Sequence, residues 1–267
     1  MTPLLLALLL LHPGQDAAVS TRFRALFEKN DRDGCAALWH EKPALALATI
    51  EEELDLASGL RAKVKGGDTT EIVAHERRAS WGAVIARDAL DAPLIADLAA
   101  ARIGWTDRER GFSNDQHAIH ERAKGFLEKG ENRQGLEAAQ EAAARALELG
   151  DWHAAAIAYE TWATGEQALS SFDDALVAWN QARVLYRELR LADREIVCLR
   201  GALDVCFASE RTSRGREIAS QAAATAKAMG DRKSAAEFLG RRAGFEEKLG
   251  LTVEAAASRK EAKDLEK

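Results

Sequence analysis

His117 and His120 lie three residues apart beside Glu121, in a stretch that reads as helix, so two imidazoles share one face and are spaced to share a metal ion. Zinc-protease chemistry needs His-Glu-x-x-His or His-x-x-Glu-His, and neither pattern occurs in the chain. A surface histidine pair facing a groove is the better reading. Asn30-Asp31-Arg32-Asp33-Gly34 resembles a calcium loop, but placing Gly34 at the sixth position puts Lys29 first and His40 twelfth, where carboxylates are required. A polar turn between helices is expected there instead. Three cysteines make no disulfide framework. Cys198 and Cys206 fall eight apart on one expected helix, roughly 12 Å along its axis and beyond disulfide reach. All three are expected to be small buried thiols. Gly66-Gly67 is not followed by the Gly-Lys-Ser/Thr of a phosphate loop, and no Gly-x-Gly-x-x-Gly or Gly-x-Ser-x-Gly occurs. The expectation is a protein with no catalytic residue, no metal and no cofactor.

The elements that carry these residues are helices. Of 267 residues, 47% are hydrophobic and 30% charged, too apolar for disorder and enough to bury a core. A net charge of −6 gives no general attraction to nucleic acid or anionic membrane. The prolines are Pro3, Pro13, Pro43 and Pro93, and the 174 residues after Pro93 contain none. That stretch, rich in Ala, Leu and Glu, favours helix. It also repeats itself. A small residue returns every 40 positions at Gly135, Ala175, Gly215 and Ala255, and alanine returns at Ala142, Ala182, Ala222 and Ala262. Half a period earlier stand Ile119, Tyr159, Leu199 and Leu239, each followed four residues on by Ala123, Ala163, Leu203 or Ala243.

Each copy predicts a helical hairpin, its first helix burying the pair at i and i+4 and its second presenting two small residues seven apart. Small side chains there let axes approach to roughly 8–9 Å. Turns are expected near Gly130, Ser170, Glu210 and Gly250, with Asn132, Ser171, Thr212 and Thr252 as candidate N-caps. Gly150-Asp151 and Gly230-Asp231 read as a helix stop followed by the N-cap of the next hairpin. The junction Arg190-Leu191-Ala192-Asp193 lacks the glycine, so that turn is expected to be shifted or tighter. Trp152, Trp162 and Trp179 read as core inside the hairpins rather than as a stacking surface for a ligand.

These residues resemble the tetratricopeptide repeat family, in its variant of about 40 residues, over 111–267. Ser171-Phe172-Asp173-Asp174-Ala175, Trp179 and Ala182 match it best, whereas Arg242 and Glu210 depart from its usual Leu and Gly. The resemblance implies an all-α fold: a right-handed α-solenoid of antiparallel helical hairpins at 111–150, 151–190, 191–230 and 231–267. It also implies a concave face of first helices that holds an extended peptide or a partner helix. By that analogy the groove residues are His117, His120 and Lys124, then Glu160, Thr164 and Gln167, then Arg200, Asp204 and Phe207, then Arg241 and Lys248. The row mixes signs and does not reproduce the basic set that clamps a C-terminal carboxylate in some relatives.

Upstream, helices are expected over Thr21–Asn30, Cys35–Glu41, Pro43–Lys65, Glu71–Leu90 and Pro93–Ile103, so 21–110 reads as a divergent helical cap on the array. Leu4–Leu11 carries no charge and is too short, about 12 Å as a helix, to span a bilayer. It fits the apolar core of a secretory signal, broken by His12-Pro13-Gly14, and Ala18-Val19-Ser20 supplies small residues for cleavage before Thr21. No Lys or Arg precedes the run. The expected protein is therefore an exported, monomeric scaffold for another protein or peptide, its mixed-charge tail Arg259–Lys267 capping the array. The rivals are a self-assembling structural repeat and an enzyme working through 21–110.

Overall fold

A computed structural model describes residues 13–64 and 67–267, and the side chains from residue 17 onward with the same internal gap; the Leu4–Leu11 run and Gly66 lie outside the described residues. The described residues are all-α, with thirteen helices packed in succession within each of two units, α1 (Pro13–Glu28), α2 (Arg32–Glu41), α3 (Pro43–Lys63), α4 (Thr70–Leu90), α5 (Pro93–Gly104), α6 (Asp107–Glu128), α7 (Asn132–Glu148), α8 (Trp152–Ala168), α9 (Phe172–Glu188), α10 (Ala192–Ala208), α11 (Thr212–Ala228), α12 (Arg232–Lys248) and α13 (Thr252–Leu265). None of them is long and apolar enough to cross a membrane. They group into two compact units, one running to Trp105 with Glu188–Arg190, the other Thr106–Arg187 with Leu191–Lys267.

In the first unit the helices follow their sequence signals with shifted ends. Pro13 opens α1, since a proline at the first helical position lacks only a donor that would be unpaired anyway; the Leu run that it is expected to close lies outside the described residues. Asp31 caps α2 by accepting from the Gly34 N–H at 2.8 Å, so the supposed calcium loop is a helix junction. Phe23 stacks on Trp39 with ring centroids 5.4 Å apart and leans on Trp81 at 6.0 Å. The Trp39 indole donates to the Gly82 carbonyl at 3.2 Å. Beside this aromatic core Glu53, 1% exposed, accepts from Arg24 Nε at 2.6 Å and Arg78 Nε at 2.8 Å, with His75 Nδ1 at 2.6 Å.

In the second unit, helices α7 to α12 have 17 residues each and are joined by three-residue turns, which reproduces the 40-residue period. Gly135, Ala175, Gly215 and Ala255 are all buried, as are Ala142, Ala182, Ala222 and Ala262. The reason is contact between helices: a side chain on Gly135 would begin 2.6 Å from Leu127 of the preceding helix. Ile119, Leu199 and Leu239 are buried in the same frame, and Tyr159 is half-buried, stacked on Trp162 at 5.5 Å. Trp179 is buried against Gly201. Inside the last hairpin Glu246 is fully buried and accepts from Arg242 Nε and the Ser258 hydroxyl, both at 2.7 Å.

The turns differ from expectation in two ways. Asp151 and Asp231 cap their helices through the N–H groups of Ala154 and Ser234, each at 3.0 Å. Asn132, Thr212 and Thr252, however, sit inside their helices as the first helical residue; the cap positions belong to Glu131, Arg211 and Leu251, without a side-chain bond. The register is the same at the Asp151 and Asp231 junctions, with the cap position directly after the left-handed residue; only the residue type at that position differs. The junction at Arg190 is neither shifted nor tightened, since Arg190 takes φ 59° where Gly150 and Gly230 take 68° and 74°. Ser170 and Glu210 do the same at 61° and 55°. Packing of the flanking helices imposes the left-handed conformation on residues that pay a steric cost for it.

Candidate partner-binding face

First helices α6, α8, α10 and α12 carry the eleven residues expected to line a groove, and the structure separates them into three groups. His117, Lys124, Thr164, Asp204, Phe207 and Lys248 are exposed. Gln167, Arg200 and Arg241 are half-buried. His120 and Glu160 do not belong to an open surface. His120 is buried, and desolvation holds its imidazole below the usual histidine range, so the histidine pair is divided between solvent and core. The i, i+3 spacing put both rings on one side of α6, but the residue nearer the helix–helix seam is covered.

Glu160 is largely buried under α10, where Arg194 Nη2 donates to its carboxylate at 2.7 Å. The Cys198 thiol approaches the same carboxylate at 4.0 Å, and the Arg194 guanidinium lies over the Tyr186 ring of α9 at 5.5 Å. Burial pushes the Glu160 carboxyl above the usual carboxylate range, and the attraction of Arg194 only partly opposes it. Burial likewise raises the thiol of Cys198, and lifts that of Cys35 to about 12, so neither is a nucleophile at neutral pH. All three cysteines are free and buried.

Between α10 and α12 the expected charges are all paired, one of them with a residue outside the expected set. Arg200 donates to both oxygens of Glu237, from Nε at 3.0 Å and Nη2 at 2.9 Å, while its guanidinium covers the Phe238 ring at 5.4 Å. Arg241 donates to Asp204. One turn further on, Lys248 Nζ stands 4.3 Å from the centre of the Phe207 ring, and that ring remains 60% exposed. The partners Glu237 and Arg194 were absent from the expected set. Their signal was present in the period: they stand 37 and 34 residues from Arg200 and Glu160, near one repeat apart, where adjacent first helices meet.

Among the described residues the face presents paired charges beside an exposed aromatic ring. No group of three or more His, Cys, Asp or Glu side chains is placed there to hold a metal ion. Open grooves occur elsewhere on the array, one of about 600 Å³ between α9 and α11 lined by Leu176, Val177, Asn180 and Arg214.

No protein-family model and no curated protein matches the chain. Among solved structures it is similar to BtubC (BKLC) from P. vanneervenii, at 16% identity and a TM-score of 0.49 over 93% of this chain and 91% of that one. It is also similar to aspartyl phosphate phosphatase F from Bacillus subtilis, at 9% identity and a TM-score of 0.44 over 88% of this chain and 75% of the other.

Proposed function

We propose that the array is a non-catalytic scaffold of the tetratricopeptide repeat type, holding a peptide or a partner helix against its first helices. One observation carries this reading: at the α10–α12 end of the candidate face, where Arg200 and Asp204 are paired off, Phe207 stays 60% exposed beneath Lys248. An aromatic side chain held out of the core gains most from burial by a partner. The neighbouring ion pairs hold the face without creating a single-sign field. A partner is then chosen by matching side chains rather than by bulk charge.

The test is selection of random twelve-residue peptides on the immobilised full chain, followed by binding to Phe207→Ala and Thr164→Arg. The expected result is at least tenfold weaker binding by each variant with the melting temperature unchanged. Selected peptides that bind both variants as well as the parent would overturn the reading.

A further inference from the structure

We infer that the working form of the protein keeps α1 from residue 17 onward, so that no maturation cut falls between Ser20 and Thr21. Ala18-Val19-Ser20 has the small residues that a signal peptidase accepts, yet in the folded unit these residues are structural. Val19 is 7% exposed and Ser20 6%. The Ser20 hydroxyl donates to Glu52 Oε2 at 2.5 Å, and Arg24 Nη2 donates to the other oxygen, Oε1, at 2.8 Å. Arg24 Nε in turn holds the buried Glu53. The Thr21 hydroxyl donates back to the Ala17 carbonyl at 2.8 Å.

A cut before Thr21 removes Val19 from the core and one of the two donors to Glu52. It leaves Thr21–Glu28 as the remnant of a 16-residue helix. Its new first turn would carry an ammonium together with Arg22 and Arg24, and positive charge is unfavourable at a helix N-terminus. So short a helix has little stability of its own. It nevertheless has to present Phe23 to Trp39 and Trp81. Processing, where it occurs, therefore ends on the N-terminal side of this packed segment.

The experiment expresses the full chain in a bacterial host and reads the intact mass of the soluble, folded protein from each compartment. A first residue at or before 17 is expected, whether the Leu4–Leu11 run is retained or removed. A first residue of Thr21 overturns the inference. A second arm compares 17–267 with 21–267 by thermal melting, where the shorter chain is expected to melt lower by about 5 °C or more, or not to fold. Val19→Ala in 17–267 supplies a graded version, with an expected drop of roughly 1–3 °C. Equal melting of the two chains, or no drop for Val19→Ala, also overturns it.

Discussion

Glu53 in the first unit and Glu160 in the array are both buried glutamates on long helices, yet their carboxyl groups are shifted in opposite directions. Burial alone would raise both. Around Glu53 it is outweighed by hydrogen bonds from Arg78, Arg24 and His75, and the carboxyl is held below the usual carboxylate range. Around Glu160 burial outweighs the attraction of Arg194 and the Tyr186 hydroxyl that oppose it. The balance between desolvation and the surrounding hydrogen bonds and charges decides whether a buried carboxylate is comfortable as an ion. The two regions are also built differently. The first unit depends on contacts that occur once, such as the Glu53 cluster and the Phe23–Trp39 stack, whereas the array repeats one small-residue contact at each hairpin.

The strongest way to break this contrast is Glu53→Ala. It leaves Arg78, Arg24 and His75 facing one another without a carboxylate, and removing one partner of a buried ion pair costs about 3–5 kcal/mol. Denaturant melts should show that loss; a cost under about 1 kcal/mol would mean that water replaces the carboxylate freely. Next in size, Ala142→Leu and Ala182→Leu force bulk into equivalent seams where both alanines are fully buried. Each should cost about 1–3 kcal/mol, and similar amounts, because the repeat gives them the same surroundings. A large cost at one site and none at the other would show that the hairpins are not interchangeable.

A smaller effect separates the glutamates by pH. A carboxyl raised in the folded state contributes stability that is complete below its unfolded value of about 4.3 and is lost as pH rises through the folded value. Wild type should therefore gain stability relative to Glu160→Gln as pH falls from the raised folded value of Glu160 towards about 4.3, and that difference should vanish above the folded value. Glu53 works the other way, its contribution persisting above the unfolded value and disappearing only as pH falls through the lowered one. Hydrogen exchange followed separately in α3–α4 and α8–α10 reads the two behaviours in one chain. Least of all, Arg200→Ala with Arg241→Ala removes two part-exposed pairs and should cost at most about 1 kcal/mol in the same melts.

The array was legible because one pattern was written four times. Gly135, Ala175, Gly215 and Ala255 are individually unremarkable, but their common phase predicts buried seams, and all four are buried. Turn detail was not legible, since Asn132, Thr212 and Thr252 have good capping side chains and the backbone starts each helix one residue too soon for their use. Nor did residue type reveal which groove positions stay open. Glu160 and Asp204 are both acids on first helices, but one is covered beside Arg194 and the other reaches solvent beside Arg241. That difference depends on the residue opposite, a repeat away. In the first unit the Glu53 cluster joins three helices at separations of 22 to 29 residues with no recurring spacing, so local pattern had nothing to detect.

Helices of one length, joined by turns of one length, also restrict how such a chain can change in size. A residue inserted within α9 would rotate everything after it on that helix by about 100° and carry Ala182 out of its seam. Duplicating a complete 40-residue unit leaves every later seam in phase. Length variation in this array is therefore quantised: whole hairpins can be gained or lost, while single-residue insertions have to be absorbed at the turns. The left-handed positions at Ser170, Arg190 and Glu210 are where the chain is already bent and where such a change would do least harm.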